Sequence, residues 1–237
     1  MSLATLRKWC LLFLSINTAA LTVHAQFQYG LKGGLNISEI LTNSSSVTYV
    51  DGVPQQSRNF PAAGYHAGGL ANVPLSKKIS LQGELLFSAQ GATDKPPSVY
   101  AVTAKEEYRF DWINVPILFK YNLPSGFFFE TGPQFGFLIT AKIKQAVIGS
   151  PGDQTYFVRS QFKSTDISWS LGTGYLTTYN LGIDIRYNLG LTNFSNVPAS
   201  GVPTVPLQTG PMKNSVVQLG IFYMFGKSRP PVKSKDE

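Results

Sequence analysis

Strict alternation of apolar and polar residues is the feature that most constrains this chain of 237 residues. The stretch 181–191 reads Leu-Gly-Ile-Asp-Ile-Arg-Tyr-Asn-Leu-Gly-Leu, with apolar residues at every odd position and Gly, Asp, Arg or Asn at every even one. Because successive side chains of a β-strand point to opposite faces, this pattern predicts a strand with one apolar and one polar face. The alternation alone does not show which face meets water.

The same alternation recurs along the chain and predicts eight strands. They cover residues 27–38, 64–73, 79–90, 108–121, 127–142, 165–177, 181–191 and 215–225. Short turns near Pro74, Asn122 and Tyr179 alternate with long connections at 39–63, 91–107, 143–164 and 192–214. Such alternation of short turns and long loops is typical of outer-membrane barrels. Pro116 lies inside the fourth predicted strand, where its missing N–H predicts a bulge or kink.

The N-terminal segment has the organisation of a secretory signal. Arg7 and Lys8 precede a mostly apolar run, and the segment ends in Val-His-Ala at Ala25, which predicts a signal peptide over residues 1–25. Loss of these two cations lowers the formal net charge from +7 to +5. The single cysteine, Cys10, lies in this segment, so we expect no disulfide or thiolate metal site in the mature chain.

Composition and length then favour a membrane barrel. Charged residues make up 14% of the chain, against roughly 25% in typical soluble domains, and aromatic residues reach 13%. No later apolar run approaches the roughly 18 residues that a spanning helix needs. We therefore predict an all-β protein, an eight-stranded antiparallel transmembrane up-and-down β-barrel over residues 26–225, with its apolar face toward lipid and its polar face toward the lumen. The main alternative is a soluble lipocalin-like barrel, which would bury the apolar face.

The two ends of the chain and the aromatic residues complete this prediction. An even number of strands places both termini in the periplasm, and the polar, proline-containing segment 226–237 is predicted to be a disordered periplasmic tail. Aromatic residues near strand ends predict girdles at the two membrane interfaces. They are Phe27, Tyr29, Tyr65, Phe87, Tyr121, Phe127, Phe137, Trp169, Tyr223 and Phe225. Trp112 does not fit this pattern, because its strand register points it inward.

Several short stretches resemble the PorT-like family of outer-membrane β-barrel proteins, often labelled porin-family. They are residues 30–38 (GLKGGLNIS), 64–68 (GYHAG), 81–87 (LQGELLF), 113–121 (INVPILFKY), 132–134 (GPQ) and 186–191 (RYNLGL). The resemblance covers essentially the whole mature chain and implies an outer-membrane barrel. It implies no defined activity, since fold alone does not determine function.

Six charged residues are predicted to point into the lumen, three of each sign. They are Lys32, Lys120 and Arg186 against Glu84, Glu130 and Asp184. An unpaired charge in a narrow interior is costly, and an eight-stranded barrel is only wide enough for side chains to fill it. We therefore predict a paired charge network that plugs the lumen. A narrow porin-like channel for small solutes remains the alternative.

Enzymatic function is a second alternative, as a membrane-embedded hydrolase. Glu84 and Glu130 form a carboxylate pair that could supply an acid and a base, and His66 is the only histidine after the signal segment. Membership of a lumen charge network is the explanation that we favour for the pair, and one histidine does not make a metal site. No nucleophile with an oriented base is recognisable. We therefore expect no catalytic residues, no cofactor and no metal.

The long loops are the expected place for function, in a structural, binding or envelope-assembly role. Asp51-Gly52, flanked by β-forming residues, predicts a hairpin in the first loop. Lys142, Lys144, Arg159 and Lys163 surround the third loop and are candidate contacts for the phosphates of lipopolysaccharide. We expect outer-membrane lipid and an unidentified envelope protein as partners, no nucleic acid, and a monomer.

Overall fold

The computed structural model describes residues 27–42, 47–50, 53–56, 58–95, 103–147, 152–196 and 211–225. These residues form β1 (Gln28–Thr42), β2 (Val47–Val50), β3 (Val53–Gln56), β4 (Arg58–Pro74), β5 (Ile79–Lys95), β6 (Thr103–Asn122), β7 (Phe127–Val147), β8 (Asp153–Phe157), a 3-10 turn (Arg159–Gln161), β9 (Thr165–Leu176), β10 (Leu181–Gly190) and β11 (Met212–Phe225). The predicted signal peptide 1–25 and tail 226–237 lie outside the described residues, so both stay predictions.

Eight of these strands close into one antiparallel ring in the order β1, β4, β5, β6, β7, β9, β10, β11. The ring closes where β11 pairs with β1, from Tyr29 opposite Phe225 to Thr42 opposite Met212. All eight predicted strands are present, and the all-β, eight-stranded antiparallel barrel is confirmed. β2 and β3 form a hairpin at the predicted Asp51-Gly52 position. β8, which sequence analysis missed, pairs with the loop-side end of β7.

The apolar face of the ring points outward. Along β10, Leu181, Ile183 and Ile185 are exposed, whereas Asp184 and Arg186 are buried. Every ring strand exposes apolar side chains on this outer face. Such a surface is unfavourable in water but favourable in contact with lipid tails. The soluble alternative, which needs this face inside, is therefore wrong. Most rings of the predicted girdles are exposed on this outer wall.

One bulge changes the direction of side chains within β7. Asp111 of β6 pairs with Thr140, but Trp112 pairs with Leu138, so Ile139 is an extra residue in β7. Below it, toward the short turns, odd-numbered residues of β7 face outward. Above it the phase reverses: Ala141 and Ile143 are buried, while Lys142 and Lys144 lie on the outer wall. A single inserted residue has this effect because the side-chain period of a strand is two.

The bulge predicted at Pro116 is wrong. The β6–β7 register is continuous from Asn114 opposite Gly136 through Pro116 opposite Gln134 to Phe119 opposite Thr131. Toward β5, pairing lapses at Pro116 and resumes in the same register on either side. The strand therefore accommodates the missing N–H by leaving a short gap in the β5–β6 ladder.

The wall of the barrel is uneven in height. β6 and β7 have 20 and 21 residues, whereas β10 has 10. A tilted strand crosses the hydrocarbon layer with roughly 9–11 residues. The longer strands, with β8 added at their edge, therefore project beyond the membrane on one side of the long-loop end.

Candidate functional site

Side chains fill the lumen in layers between the two ends of the barrel. The end that carries the short turns at 75–78, 123–126 and 177–180 is closed by an apolar layer of Leu70, Phe128, Phe222 and Met224, with Leu176 packed against it. The rings of Phe128 and Phe222 meet edge to face, with centroids 6.0 Å apart. This layer separates the interior from water at the short-turn end.

Arg186 is the centre of the next layer. Its Nη1 and Nη2 each donate to Glu84, to Oε2 and Oε1, at 2.8 Å. Its Nε donates to Glu130 Oε1, also at 2.8 Å. The guanidinium therefore makes a bidentate pair with one carboxylate and a third bond to another, the geometry for which its planar fork of donors is suited. All three side chains are fully buried.

Two lysines complete the layer. Lys32 Nζ lies 2.6 Å from Asp184 Oδ2 and 3.7 Å from Glu84 Oε1. Lys120 Nζ lies 3.5 Å from Glu130 Oε2, donates to Gln82 at 3.1 Å, and sits 3.6 Å from the centroid of the Phe128 ring. The cation–π contact adds to the ion pair because the site is shielded from water.

The structure thus places all six sequence-predicted lumen charges in one buried cluster, called the charge network below. Its members come from β1, β5, β6, β7 and β10, and three cations meet three anions. Gly220 on β11 leaves room for it, because a Cβ there would lie 2.6 Å from Asp184 Oδ1 and 2.8 Å from Lys32 Cε. Such pairing is what a low-dielectric interior requires of buried charge.

The carboxylates considered as a catalytic pair are both held by this network. Glu84 and Glu130 share Arg186 as partner, and each also contacts a lysine. His66 is buried above the network, with its Nδ1 2.8 Å from Asn36 Oδ1, so its described hydrogen bond is to an amide and not to either carboxylate. Within the described residues, no group of three His, Cys, Asp or Glu side chains is placed to hold a metal.

The long-loop end of the lumen is apolar, which sequence analysis missed. Trp112, Phe110 and Tyr108 of β6 point into it, together with other buried residues of the ring. The ring residues are Ile40, Ala92, Tyr108, Phe110, Trp112, Leu138, Ala141, Ile143 and Met212. The inward direction of Trp112 was therefore correct, and its partners explain it: this end of the lumen is filled by aromatic rings. The apolar residues at even, inward positions of β6 were the sequence signal that could have predicted this apolar end of the lumen.

Three further members of this cluster come from the connections between strands. Val158 and Phe162 follow β8, and Phe194 follows β10. The Phe194 ring centroid lies 5.5 Å from that of Phe110 and 5.8 Å from that of Trp112. We call residues 158–164 and 192–196 the cap, because they cover the mouth of the ring.

Backbone hydrogen bonds join the two parts of the cap to each other and to the barrel. Lys163 N donates to Phe194 O at 2.8 Å, and Asn196 N donates to Gln161 O at 3.0 Å. Phe194 N donates to Met212 O at the start of β11. Arg159 donates from Nη2 to Leu138 O and from Nη1 to Phe162 O. These bonds fix the aromatic rings over the lumen.

The four cations proposed for lipopolysaccharide do not form one site. Arg159 is engaged by backbone carbonyls of β7 and the cap, whereas Lys163 is exposed on the cap. Lys142 and Lys144 lie together on the outer wall of β7, above the exposed side chain of Ile139. Arg109 of β6, which sequence analysis did not select, pairs across the ladder with Lys142 and is bonded to Glu107 at 2.8 Å.

A closed antiparallel ring with an apolar exterior and a filled polar and apolar interior defines an outer-membrane β-barrel protein. The sequence matches the family described as "Outer membrane protein beta-barrel domain" over residues 18–196, well over half of its length, and the chain belongs to that family. Among the described residues, no helix is long and apolar enough to cross a bilayer.

The comparison with solved structures finds, among others, three bacterial proteins. The attachment invasion locus protein Ail of Yersinia pestis is 13% identical, covers 84% of this chain and 99% of its own, and has a TM-score of 0.45. Neisserial surface protein A is 12% identical, with coverages of 83% and 97% and a TM-score of 0.45. OprG of Pseudomonas aeruginosa is 13% identical, with coverages of 85% and 97% and a TM-score of 0.42. No curated protein matches the sequence significantly.

Proposed function

We propose that this protein is a non-enzymatic outer-membrane barrel with a plugged lumen, which acts through its long-loop end in a structural, binding or envelope-assembly role. In this proposal the signal peptide 1–25 is removed, the monomeric barrel occupies 26–225, and both termini, including the tail 226–237, lie in the periplasm. The PorT-like resemblance of segments such as 113–121 and 186–191 supports placing it near that group of barrels.

The observation that carries the proposal is the filling of the lumen over its described length. An apolar layer closes the short-turn end, the charge network follows, and the aromatic cluster beneath the cap closes the loop end. Arg186, at the centre, is fully buried. A water-filled path for solutes would have to pass all three layers, and an eight-stranded ring leaves little space beyond its own side chains.

Conductance across planar bilayers tests this proposal directly. We expect the purified, folded protein to insert without producing a steady conductance, whereas a porin in the same membranes produces one. Insertion is verified separately by protease protection in liposomes and by the altered gel migration of unheated barrel protein. A steady conductance from the inserted wild-type protein would support the narrow-channel alternative instead.

A second candidate function, binding of lipopolysaccharide phosphates, is favoured by one feature of the outer wall. The bulge at Ile139 turns Lys142 and Lys144 outward, next to Arg109 and above the apolar surface of β7. Lys142 also lies 5.4 Å from the ring of Phe157, an exposed residue of β8. Cations directly above a lipid-facing apolar surface are placed to meet anionic headgroups. Lys163 on the cap adds a further positive charge at the same end.

Charge reversal distinguishes this site from general positive charge. Lys142→Glu with Lys144→Glu is expected to weaken lipopolysaccharide binding at least tenfold, since each cation near an anionic surface contributes about 1 kcal/mol. Lys213→Glu is the matched control, because Lys213 is exposed near the same end on β11, across the barrel. Arg159→Glu is expected to disturb the cap and leave binding largely unchanged. Binding that survives the double reversal would contradict the lipid site.

A further inference from the structure

A small cavity lies in the lumen beneath the aromatic cluster. Its volume is about 10 Å³, and most of its wall is polar. Trp112 and Asn114 of β6, Gln134 of β7, Asp166 of β9 and Asn188 of β10 contribute to the wall. The cavity therefore sits where the apolar layer under the cap gives way to the polar middle of the barrel.

Four buried polar atoms around this cavity have no hydrogen-bond partner within the described part of the chain. Three are donors, Trp112 Nε1, Asn114 Nδ2 and Asn188 Nδ2, and one is an acceptor, Gln134 Oε1. All four side chains are at most 4% exposed. A buried polar group without a partner is destabilising by roughly 1–3 kcal/mol, so four around one small space point to a bound molecule that satisfies most of them.

The other atoms of three of these side chains are already engaged. Asn188 Oδ1 accepts from Ser170 Oγ at 2.6 Å, and Gln134 Nε2 donates to Ser168 Oγ at 3.1 Å. The Trp112 indole is fixed by its edge-to-face contact with Phe194. The unpartnered atoms of Asn188 and Gln134 therefore keep their direction, because rotating either amide would break an existing hydrogen bond.

Charge and size identify the class of ligand. The three N–H donors carry partial positive charge at the cavity and disfavour a cation. The negative carboxylate of Asp166 in the wall disfavours an anion. Asp166 already accepts from Thr192 Oγ1 at 2.6 Å and from Asn214 Nδ2 at 2.9 Å, and a carboxylate has about four acceptor positions in all. A volume of about 10 Å³ holds roughly one water molecule.

We infer that this cavity is the binding site of a single ordered water molecule, which bridges the donors of β6 and β10 to the acceptors of β7 and β9. Water can accept two hydrogen bonds and donate two, so one molecule can satisfy two of the three donors together with Gln134 Oε1 and Asp166. The cap above and the charge network below keep this molecule from exchanging freely with solvent. The site connects four strands at the level where the apolar and polar halves of the lumen meet.

A crystal structure at a resolution that shows water, from crystals grown with sodium bromide, tests this inference. We expect one density peak about 3 Å from at least two of the four atoms, without anomalous signal at the bromide edge. An anomalous peak at the site would show an anion and overturn the inference. Direct bonds between the four side chains, with no peak between them, would overturn it as well.

A cavity-filling substitution gives a second, independent measurement. Val216 lines the cavity, and Val216→Ile adds one methylene to its wall. If water is bound, expelling it leaves the four atoms without partners, and we expect the unfolding midpoint to fall by about 2–4 °C. A dry cavity would instead be filled favourably, so a raised midpoint would contradict the inference. Val217→Ile, on the exposed neighbour, is the matched control.

Discussion

Above the apolar layer at the short-turn end, the two halves of the lumen are filled by side chains of opposite chemistry. The short-turn half holds the charge network, in which each charge has a partner of opposite sign between 2.6 and 3.7 Å away. The long-loop half holds aromatic and aliphatic side chains, with ring centroids 4.9–5.8 Å apart among Phe110, Trp112, Phe162 and Phe194. The interior of this barrel is therefore not uniformly polar.

The difference follows from where the side chains originate. Every member of the charge network projects from a ring strand, and polar partners reach one another across the narrow lumen. At the loop end, Phe162 and Phe194 enter from connections outside the ring. The comparison teaches that a sealed barrel needs paired polar groups or close-packed apolar ones, and that both solutions can occur in one lumen.

Exchange of the side chains at 141–144 (Ala141→Lys, Lys142→Ala, Ile143→Lys and Lys144→Ile) should have the largest effect on this contrast. It keeps the composition of β7 but puts two lysines at the inward positions of the apolar loop half, beyond the bulge at Ile139. Each buried, unpaired ammonium is destabilising by several kcal/mol. We expect little folded protein, measured as the fraction that migrates as a compact barrel in unheated gels and by urea unfolding in micelles.

Deletion of Ile139 is the matched control, because it removes the bulge and leaves one residue between the inward Leu138 and Ala141. Ile143 therefore stays inward and Lys142 and Lys144 stay outward, so we expect the deletion variant to fold. If the exchange variant keeps the stability of the wild-type protein, the inward positions beyond the bulge do not require apolar side chains.

Arg186→Met tests the other half. It leaves Glu84 and Glu130 buried without their main partner, and breaking a buried pair in this way costs about 3–5 kcal/mol. The free energy of unfolding in urea measures the loss. Arg109→Met is the matched control, because its pair with Glu107 is exposed and such pairs contribute about 0–1 kcal/mol. Equal losses in the two variants would contradict the role assigned to the charge network.

The contrast also explains what the sequence could and could not predict. Lys32, Asp184 and Arg186 lie in strands with unbroken alternation, so counting every second residue along each strand correctly predicts that all three point inward. Lys142 and Lys144 lie beyond the bulge at Ile139, where counting gives the wrong face. Bulges depend on local pairing with the neighbouring strand, and that pairing has no simple signal in a single sequence.

The cap was hidden for a related reason. Phe162 and Phe194 lie in connections, where no periodicity indicates a direction, and their burial depends on backbone bonds such as Lys163 N to Phe194 O. Trp112 was the one residue in the sequence that indicated an apolar cluster at this end, since an inward tryptophan requires apolar neighbours. The distances within the charge network, and the choice of Arg186 as its centre, depend on three-dimensional placement across five strands and were not predictable.

Phe194→Ala should produce a smaller, local loss. The ring packs against Phe110, Trp112 and Phe162, and removal of a buried phenylalanine costs about 3 kcal/mol at the lower end of the usual range. We expect the effect at the cap, as faster proteolysis within 158–164 and faster amide exchange at Lys163. Phe137→Ala, on the exposed outer wall, is the control and should leave both rates unchanged. Unchanged protection in the Phe194 variant would show that the cap is held by its backbone bonds alone.

Pro116→Val should have the smallest effect, and its sign is informative. Pro116 lies on a ring strand in continuous register, at the gap in the β5–β6 ladder near Glu84. Valine favours strands and restores an N–H, and one additional hydrogen bond contributes about 0.5–1.5 kcal/mol. We therefore expect stability in urea to stay equal or to rise by about 1 kcal/mol, with slower amide exchange at the new position. A loss above 1 kcal/mol would mean that the proline shapes the wall beside the charge network, and that the regular half of the barrel depends on local distortion as the loop half does.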